Sequence, residues 1–427
     1  MTLASVSVDP EPGAAAVRHA PRVLLVSPVA PVPESVGGVY LRDLCLMYPP
    51  GHLAFAILPG IGHGAWPAPL DAAPRITLES VPERGFNKWG RRVQQSTRGV
   101  FDRYVDHHHL PRLARQLSDF AAAVRPDLLW VPLAGPTMIN LADRLASELG
   151  LPLVTTVWDA PDYALPHYWE IRGTALDRLM GRFGAAIRAS VRCAVASSAM
   201  KDAYEARYGT PCVSMIHGMP ESDWLPPTGM RPRDEPFTLG YAGSLYARRE
   251  WDALLQALDA VGWRVGGREV TVRVLAAGLD VRVSGPARIE FLGWHSTANA
   301  LALLSSCDAC YVPYWFDEAF RPGVELSFPN KVSLYLAAGR PILFHGPRAS
   351  TPTAFLGRWP VGVACHSLER DDILTALTTA ATDDAFHDRA ATAIPQALKA
   401  ELGMRLFRSQ FAKLIGVDDA VLAPVPG

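Results

Sequence analysis

Residues 239–258, LGYAGSLYARREWDALLQAL, predict a strand, a turn and a helix in that order. The first four residues form an apolar run, Gly243 and Ser244 form the turn, and apolar side chains recur at helical spacing from Trp251 onward. A buried strand joined to a helix by a short turn is the repeating unit of parallel α/β sheets. The turn is also a candidate anion site, because its backbone N–H groups are uncovered and Arg248 and Arg249 follow it.

The same alternation of apolar runs and amphipathic stretches continues on both sides of this segment. It predicts two α/β domains, each a doubly wound, Rossmann-like parallel sheet. In the first half, strands are predicted at 22–27, 52–58, 128–132, 153–157, 193–198 and 213–216. In the second half, they are predicted at 238–242, 270–276, 289–292, 309–312, 341–344 and 361–365. Ligands of such folds bind beyond the carboxyl ends of the strands, so we expect the site in an interdomain cleft.

A domain boundary is predicted at residues 217–236, HGMPESDWLPPTGMRPRDEP, whose prolines, glycines and charges break both periodicities. The predicted organisation is a disordered tail at 1–20, a first Rossmann-like domain at 21–220 that holds the acceptor side of the cleft, a linker at 221–236, a second Rossmann-like domain at 237–398, and a C-terminal helix within 399–427 that crosses back to the first domain.

Composition and charge restrict the class of protein. The 427 residues include 41 Lys and Arg against 42 Asp and Glu, a formal net charge of -1, which argues against a protein that wraps nucleic acid. The six cysteines are widely spaced, which predicts reduced, buried thiols and a cytoplasmic protein. No secretion signal and no apolar run of about 18 residues is present, so any membrane contact would be peripheral.

Several catalytic motifs are missing from the sequence. No Gly-x-Gly-x-x-Gly follows the first predicted strand, and no lysine follows a glycine, which excludes a dinucleotide fingerprint and a Walker A loop. His-Glu-x-x-His and Gly-x-Ser-x-Gly are absent as well. The triplet 107–109, HHH, has no acidic or cysteine partner at ligand spacing, so we predict no metal site.

A second motif follows in residues 324–347, VELSFPNKVSLYLAAGRPILFHGP. Pro329 and Asn330 open a predicted helix, and Lys331 lies in its first turn. A lysine is electrostatically unfavourable at that end of a helix, so its presence indicates an anion that both the dipole and the ammonium can hold.

Three segments in order resemble the donor domain of GT-B glycosyltransferases, specifically the family 4-like group (glycosyl transferases group 1). They are YAGSLYARREWDALLQAL, IEFLGWHSTANALALLSSCDACYVPY and SFPNKVSLYLAAGRPILFHGP. In the first half, VASSAMKDAYEARYGTPCVSMIHGMP resembles the last strand and helix before the hinge of that group. The resemblance spans about residues 22–346. It implies a retaining enzyme that transfers a sugar from a nucleoside-diphosphate sugar without a metal or another cofactor.

The resemblance also implies roles for individual residues. Those expected to hold the donor diphosphate are Gly243, Ser244, Arg248, Arg249 and Lys331. Those expected to border the nucleoside are Trp294, His295, Pro313, Tyr314 and Glu325. On the acceptor side of the cleft the expected residues are Gly37, Gly38 and Asp162, with Asp159 at the reacting centre.

The sequence departs from the family pattern at positions close to the chemistry. Leu334 replaces the glutamate that contacts the donor ribose, and Leu326 falls on the first glutamate of the pair. Glu325 or Glu318 could compensate for this loss. Trp158 stands where the family shows a histidine. Two alternatives therefore stay open: a non-catalytic homologue that binds the donor, and a nucleotide-sugar epimerase on the same fold.

A basic stretch at 84–115 carries eight Lys and Arg, interleaved with aromatic and apolar residues. Such a stretch can lie on an anionic membrane, or it can form solvated helices whose aromatic side chains face the core. Together with the resemblance, it favours a glycan or lipid-linked acceptor at the inner membrane face and a role in cell-surface polysaccharide biosynthesis. We expect no nucleic-acid partner.

Overall fold

The computed structural model describes residues 19–61, 64–81, 83, 91–276 and 288–423 of the chain. Most of the predicted tail at 1–20 and the first part of the basic stretch, 84–90, lie outside the described residues. The described part contains two parallel sheets, each with helices packed on its faces.

The first sheet contains seven strands, all parallel. They are β1 (Val23–Val29), β2 (Leu53–Ile61), β3 (Arg75–Thr77), β4 (Leu128–Pro132), β5 (Leu153–Val157), β6 (Ser190–Val195) and β7 (Cys212–Ser214), in the spatial order β3-β2-β1-β4-β5-β6-β7. The helices of this part are α1 (Val36–Met47), α2 (Arg91–Tyr104), α3 (Leu110–Val124), α4 (Pro136–Leu149), α5 (Pro161–Tyr168), α6 (Thr174–Ala189) and α7 (Ser198–Tyr208). The central strands β4 and β5 are buried along their whole length because helices cover both sides of the sheet.

The second sheet has the spatial order β11-β10-β8-β12-β13-β14, again parallel, with β9 pairing antiparallel to β10. Its strands are β8 (Phe237–Ala242), β9 (Arg264–Val265), β10 (Arg268–Leu275), β11 (Ile289–Phe291), β12 (Ala309–Pro313), β13 (Ile342–His345) and β14 (Gly362–Cys365). The helices are α8 (Arg248–Ala260), α9 (Thr297–Ser305), α10 (Arg321–Leu326), α11 (Lys331–Ala337), α12 (Thr351–Arg358), α13 (Arg370–Thr382), α14 (Asp384–Ala397) and α15 (Met404–Ile415).

The predicted fold class, two doubly wound Rossmann-like domains, is confirmed. Two short strands, β3 and β9, were not predicted. The strand predicted at 193–198 lies earlier, at Ser190–Val195, because Ser197 caps the next helix. Its hydroxyl accepts a hydrogen bond from the Met200 N–H at 3.0 Å, which fixes the start of α7 and ends the extended backbone before it.

The last helix, α15, packs on the first sheet rather than the second. Phe407 and Phe411 are buried in the same apolar cluster as Trp130 of β4, with the Phe411 and Trp130 ring centroids 5.3 Å apart. The Arg192 Nε of β6 donates to the Leu414 carbonyl at 2.8 Å, at the end of the helix. Both β1, near the start of the described chain, and α15, near its end, therefore belong to the first domain.

The two chain crossings between the sheets lie side by side. The Met219 N–H donates to the Leu402 carbonyl at 2.9 Å, and the Met404 N–H donates to the Met219 carbonyl at 3.1 Å. The segment that leaves the first sheet and the segment that returns to it are thus hydrogen-bonded together at the hinge.

All six cysteines are buried and unpaired, and none forms a disulfide. Within the described ranges, no helix combines the length and the apolar character needed to cross a bilayer.

Candidate active site

The carboxyl end of β8 forms the predicted glycine turn. Gly243 has a φ of +86°, a conformation that a residue with a side chain rarely adopts, and Gly243 and Ser244 are both exposed. The Tyr241 hydroxyl donates to the Ser244 carbonyl at 2.6 Å and so ties the strand to its turn. The turn lies at the edge of the sheet where parallel α/β folds bind ligands. The Gly243 N–H already donates to the Leu275 carbonyl at 3.0 Å, so the expectation of uncovered N–H groups fails at Gly243.

Lys331 lies beside this turn. Its Nζ donates to the Tyr241 hydroxyl at 3.0 Å and lies 4.2 Å and 4.5 Å from the ring centroids of Tyr241 and Tyr246. Among the described residues no carboxylate pairs with it. Enclosure by the surrounding protein lowers the pKa of Lys331 to about 7, because burial disfavours the charged form. A cation held by two aromatic faces without a counterion is suited to receive an anion.

The two arginines at the start of α8 differ in their availability. Arg248 pairs with Asp252 one turn along the helix, with 2.9 Å between its Nε and the carboxylate. Arg249 is exposed and forms no hydrogen bond or ion pair with any described residue. Arg249 is therefore the arginine of this pair that is free to contact a ligand.

Asp159 follows β5 and lies where the two domains meet. Its Oδ1 accepts a hydrogen bond from the Tyr163 hydroxyl at 2.8 Å. It accepts another, at 3.4 Å, from the hydroxyl of Ser327, a residue of the second domain. No described residue donates to Oδ2. The carboxyl is exposed to the cleft, yet the protein around it raises its pKa. Asp159 is thus an accessible carboxylate with increased proton affinity.

Trp158, which stands in place of the family's histidine, packs on the glycine loop. A Cβ atom on Gly37 would lie 3.3 Å from the Trp158 ring, and one on Gly38 would lie 2.2 Å from the Val32 carbonyl oxygen. The Trp158 indole N–H is buried and has no partner among the described residues. An indole cannot accept a proton as a histidine can. Trp158 therefore provides a packing surface and an N–H donor at this position, but no base.

The predicted nucleoside residues divide into accessible and buried ones. Trp294 is 75% exposed, and the partly buried His295 has an Nε2 without a partner among the residues described. Pro313 and Tyr314 are buried, and the Tyr314 hydroxyl donates to the Ser327 carbonyl at 2.9 Å. Tyr314 therefore supports the Ser327 segment from within the domain and presents no free edge to a base.

The carboxylates proposed as substitutes for the missing glutamate are already paired. Glu318 and Glu325 both contact Arg321, at 2.9 Å and 2.7 Å. The Leu334 side chain packs partly buried against the apolar cluster of the second domain. Near Lys331, the described structure shows no carboxylate that replaces the family's ribose ligand.

Asp162 lies on the first turn of α5, and its electrostatic neighbours are on α7. Arg207 lowers the pKa of its carboxyl, but burial raises it more strongly, and the resulting pKa is above its usual value. Asp162 also raises the pKa of Tyr204. Its Oδ1 is buried and has no hydrogen-bond partner among the described residues.

An aromatic stack that the sequence did not reveal closes one side of the cleft. The Trp315 and Phe320 rings stack at 4.7 Å and 8°, and the His167 ring of the first domain stacks on Phe320 at 3.9 Å and 15°. The Trp315 indole N–H donates to the Tyr246 carbonyl at 2.9 Å. The stack thus joins the tyrosine beside Lys331 to the opposite domain.

The same segment of the second domain contacts the first domain at further points. A Cβ on Gly323 would lie 2.7 Å from the Tyr163 ring, and the Ser197 hydroxyl donates to the Leu326 carbonyl. The only sequence signal for these contacts was the local density of aromatic residues in 163–169 and 314–320.

Within the described parts of the chain, no group of three or more His, Cys, Asp or Glu side chains could hold a metal ion.

No family model matches the sequence, and no curated protein sequence matches it. Solved structures match almost the whole chain. A sucrose-phosphate synthase from Thermosynechococcus elongatus has a TM-score of 0.63 at 12% identity, with 92% of this chain and 97% of that chain covered. WaaG, a glycosyltransferase involved in lipopolysaccharide biosynthesis, has a TM-score of 0.57 at 12% identity, with 92% and 99% covered.

A Listeria monocytogenes protein assigned as a UDP-N-acetylglucosamine 2-epimerase matches with a TM-score of 0.52 at 10% identity, covering 94% of this chain and 98% of that chain. The chain therefore has the GT-B fold that these glycosyltransferases share. Similarity at this level of identity establishes the fold, whereas the reaction depends on the residues of the site. The specific assignment to family 4 stays a prediction.

Proposed function

We propose that this protein is a glycosyltransferase that moves a sugar from a nucleoside-diphosphate sugar to an acceptor. The observation that carries the proposal is Lys331, a cation without a counterion among the described residues, held beside the exposed Gly243–Ser244 turn. A diphosphate supplies the missing negative charge and can accept hydrogen bonds from the turn.

On the donor side, Lys331 and Arg249 stabilise the diphosphate as the glycosidic bond breaks. A phosphate near Nζ favours the ammonium form, so binding raises the pKa of Lys331 from its low value in the free protein. The charge on the leaving group grows during the reaction, so these cations act most strongly in the transition state. In this proposal the transfer needs no metal ion.

On the acceptor side, the proton of the attacking hydroxyl passes to a donor phosphate oxygen or to Asp159. The raised pKa of Asp159 favours proton acceptance, and its Oδ2 has no donor among the described residues. The proposed stereochemistry is retaining, with attack on the face that the leaving group vacates. Trp158 contributes shape at the glycine loop in this scheme.

The proposal is tested with purified protein and a panel of UDP-, GDP- and TDP-sugars. Thermal shift measures binding, and nucleotide release is measured with and without a membrane lipid extract. We expect one donor to raise the melting temperature and to release nucleotide only when an acceptor is present. Lys331→Ala should lose the shift, whereas Lys413→Ala, which changes an exposed lysine on α15, should keep it.

The two alternatives give different results in the same assay. Trp158 and Leu334 favour a non-catalytic homologue, which would show a shift with a donor and no release under any condition. An epimerase, as assigned to the Listeria monocytogenes protein of the same fold, would convert the donor without an acceptor. Absence of a shift with every donor would contradict nucleotide-sugar binding itself.

We further propose that the acceptor is lipid-linked or a growing polysaccharide, and that the stretch 84–115 contacts an anionic membrane. Arg98 pairs with Asp102 and is buried, so it does not contribute. Arg103, Arg112 and Arg115 are exposed. The apolar Val100 and the aromatic Tyr104, 68% and 47% exposed, belong to the same surface stretch. Each basic side chain near such a surface adds about 1 kcal/mol.

Vesicle co-sedimentation tests this contact. The protein should bind vesicles of phosphatidylglycerol and phosphatidylcholine and not vesicles of phosphatidylcholine alone. Changing Arg103, Arg112 and Arg115 together to Gln should abolish binding. A matched triple change of arginines on α13 and α14 and in the linker, Arg370, Arg389 and Arg233 to Gln, should not. Equal loss in both triple variants would show that net charge alone, and not this surface, drives the binding.

A further inference from the structure

A cavity of about 450 Å³ lies between the two domains, separate from the residues proposed to hold the donor. Ser197 and Ser214 line it from the first domain, and Arg348, Ser350 and Thr351 line it from the second. Neither Lys331, nor the Gly243–Ser244 turn, nor Asp159 lines it. Its volume falls within the range of small-molecule sites, which is about 300–1,000 Å³.

The charges around this cavity leave one cation without a partner. Glu325 pairs with Arg321 at 2.7 Å, and Glu401 pairs with Arg358 at 2.8 Å. Glu401 thus has a guanidinium to itself, whereas Glu325 shares Arg321 with Glu318. Arg348 is exposed and makes no hydrogen bond or ion pair with any residue in the described part of the chain. Arg348 is thus the charged side chain of the lining that has no partner among the described residues.

Two helix starts also face this cavity. Ser197 caps α7 and Ser350 caps α12, and both helices point their amino ends into the cavity wall. Helix dipoles and an unpaired guanidinium together favour an anionic group such as a phosphate. Ile216, Phe328 and Phe407 supply an apolar wall for a carbon skeleton.

The cavity is also connected to the proposed reacting centre. The Ser197 hydroxyl donates to the Leu326 carbonyl, and the Thr351 hydroxyl donates to the Ser327 carbonyl. Ser327 in turn donates to Asp159 at 3.4 Å. A ligand that fills the cavity beside Ser197 and Thr351 therefore lies next to the segment that contacts Asp159.

We propose that this cavity binds a small phosphorylated molecule, of the size of a hexose phosphate, whose phosphate contacts Arg348 and which bridges the two domains. The proposal does not depend on glycosyl transfer, because neither Lys331, nor Arg249, nor the Gly243–Ser244 turn takes part. It assigns Arg348 as the main phosphate ligand and the Ser214 hydroxyl, which makes no hydrogen bond with a described residue, as a further donor.

Calorimetric titration of the Lys331→Ala protein tests this proposal, since that variant weakens any phosphate binding at the donor site. The probes are glucose 6-phosphate, inorganic phosphate and glucose. We expect glucose 6-phosphate to bind, inorganic phosphate to bind more weakly, and glucose not to bind. Adding Arg348→Gln should weaken glucose 6-phosphate binding at least tenfold. Arg370→Gln, which changes an exposed arginine on α13, should leave it unchanged.

The proposal is overturned if neither phosphorylated probe binds, if glucose binds as well as glucose 6-phosphate, or if Arg348→Gln binds like its parent. A UDP-sugar titration of the single variant Arg348→Gln separates the two sites. The Arg348→Gln variant should still bind nucleotide. If the donor assignment is wrong, the wild-type protein will not bind nucleotide but will still bind glucose 6-phosphate.

Discussion

Each end of the second sheet holds a cationic side chain, and the two cations differ in how many partners they have. At the amino ends of the strands, the Arg268 guanidinium is 1% exposed and lies 3.1 Å from Asp308, whose other oxygen accepts from the Thr238 N–H at 2.7 Å. Arg268 also donates to three backbone carbonyls, those of Glu235, Pro236 and Ala381. At the carboxyl ends, Lys331 has one tyrosine hydroxyl and two ring faces.

This difference distinguishes a cation that stabilises the fold from a cation that is available to bind a ligand. A buried charge that is fully paired costs the fold little, whereas a partly satisfied one stores interaction energy that a ligand can use. The Arg268 network holds β8, β10 and β12 in register. The Lys331 position is the one we assign to the donor.

The largest expected effect comes from breaking the paired end. Asp308→Ala removes the partner of Arg268 and the acceptor for Thr238, and it leaves an uncompensated buried guanidinium. We expect a loss of about 3–5 kcal/mol in the free energy of unfolding, measured by urea denaturation. Asp384→Ala breaks an exposed pair with Arg233 and should cost less than about 1 kcal/mol. Equal losses in the two variants would contradict the assignment of Arg268 and Asp308 as a supporting network.

The matching change at the other end is Lys331→Met, which keeps the length of the side chain and removes the charge. We expect the free energy of unfolding of the free protein to rise by roughly 1 kcal/mol at pH 7, which raises its melting temperature. The free energy of nucleotide binding should become about 2 kcal/mol less favourable. The unfolded lysine binds a proton more tightly than the folded one, so wild-type stability increases from pH 7 toward pH 10. The advantage of the variant should therefore shrink over that range. A variant less stable than the wild type at pH 7 would make Lys331 a structural residue.

Nucleotide binding should depend on pH through the same lysine. The pKa of Lys331 is about 7 in the free protein, and the diphosphate binds the protonated form. The affinity for a UDP-sugar, whose phosphates do not titrate near neutrality, should therefore fall as the pH rises above 7. The limit is about tenfold per pH unit. Isothermal titration at pH 6, 7 and 8 measures this slope, and Lys331→Met should show none. A pH-independent affinity in the wild type would exclude Lys331 as the titrating ligand.

The smallest effect distinguishes the two arginines of α8. Arg249→Gln should reduce nucleotide affinity by about 1 kcal/mol, because its guanidinium is free and exposed. Arg248→Gln should reduce it less, since Arg248 already pairs with Asp252. Both variants are read in the same titration. A larger loss for Arg248→Gln would show that the donor displaces Asp252 from its arginine.

Much of the fold could be predicted from the sequence because parallel strands buried on both faces are continuous apolar runs. The strands at 128–132 and 153–157 were predicted with the bounds they have. The three-residue strand β3 was missed because its burial pattern is exposed, partly buried and exposed, which gives no apolar run. A short edge strand of this kind is fixed by its neighbour rather than by its own sequence.

The site was only partly predictable, for a physical reason. Residues close in sequence to a turn or a helix start, such as Gly243 and Lys331, could be assigned because local motifs fix their position. The contacts between Phe320 and His167, or between Ser327 and Asp159, join residues far apart in the chain.

The return of α15 to the first sheet makes the first domain discontinuous in sequence. A fragment that stops near residue 220 would leave the face of Trp130 without Phe407 and Phe411, and an unpaired apolar face of this kind promotes aggregation. Excision of the second domain is the better dissection. Met219 and Gly403 already pair as neighbouring backbone segments, so a short linker between them would close the chain with its own core complete.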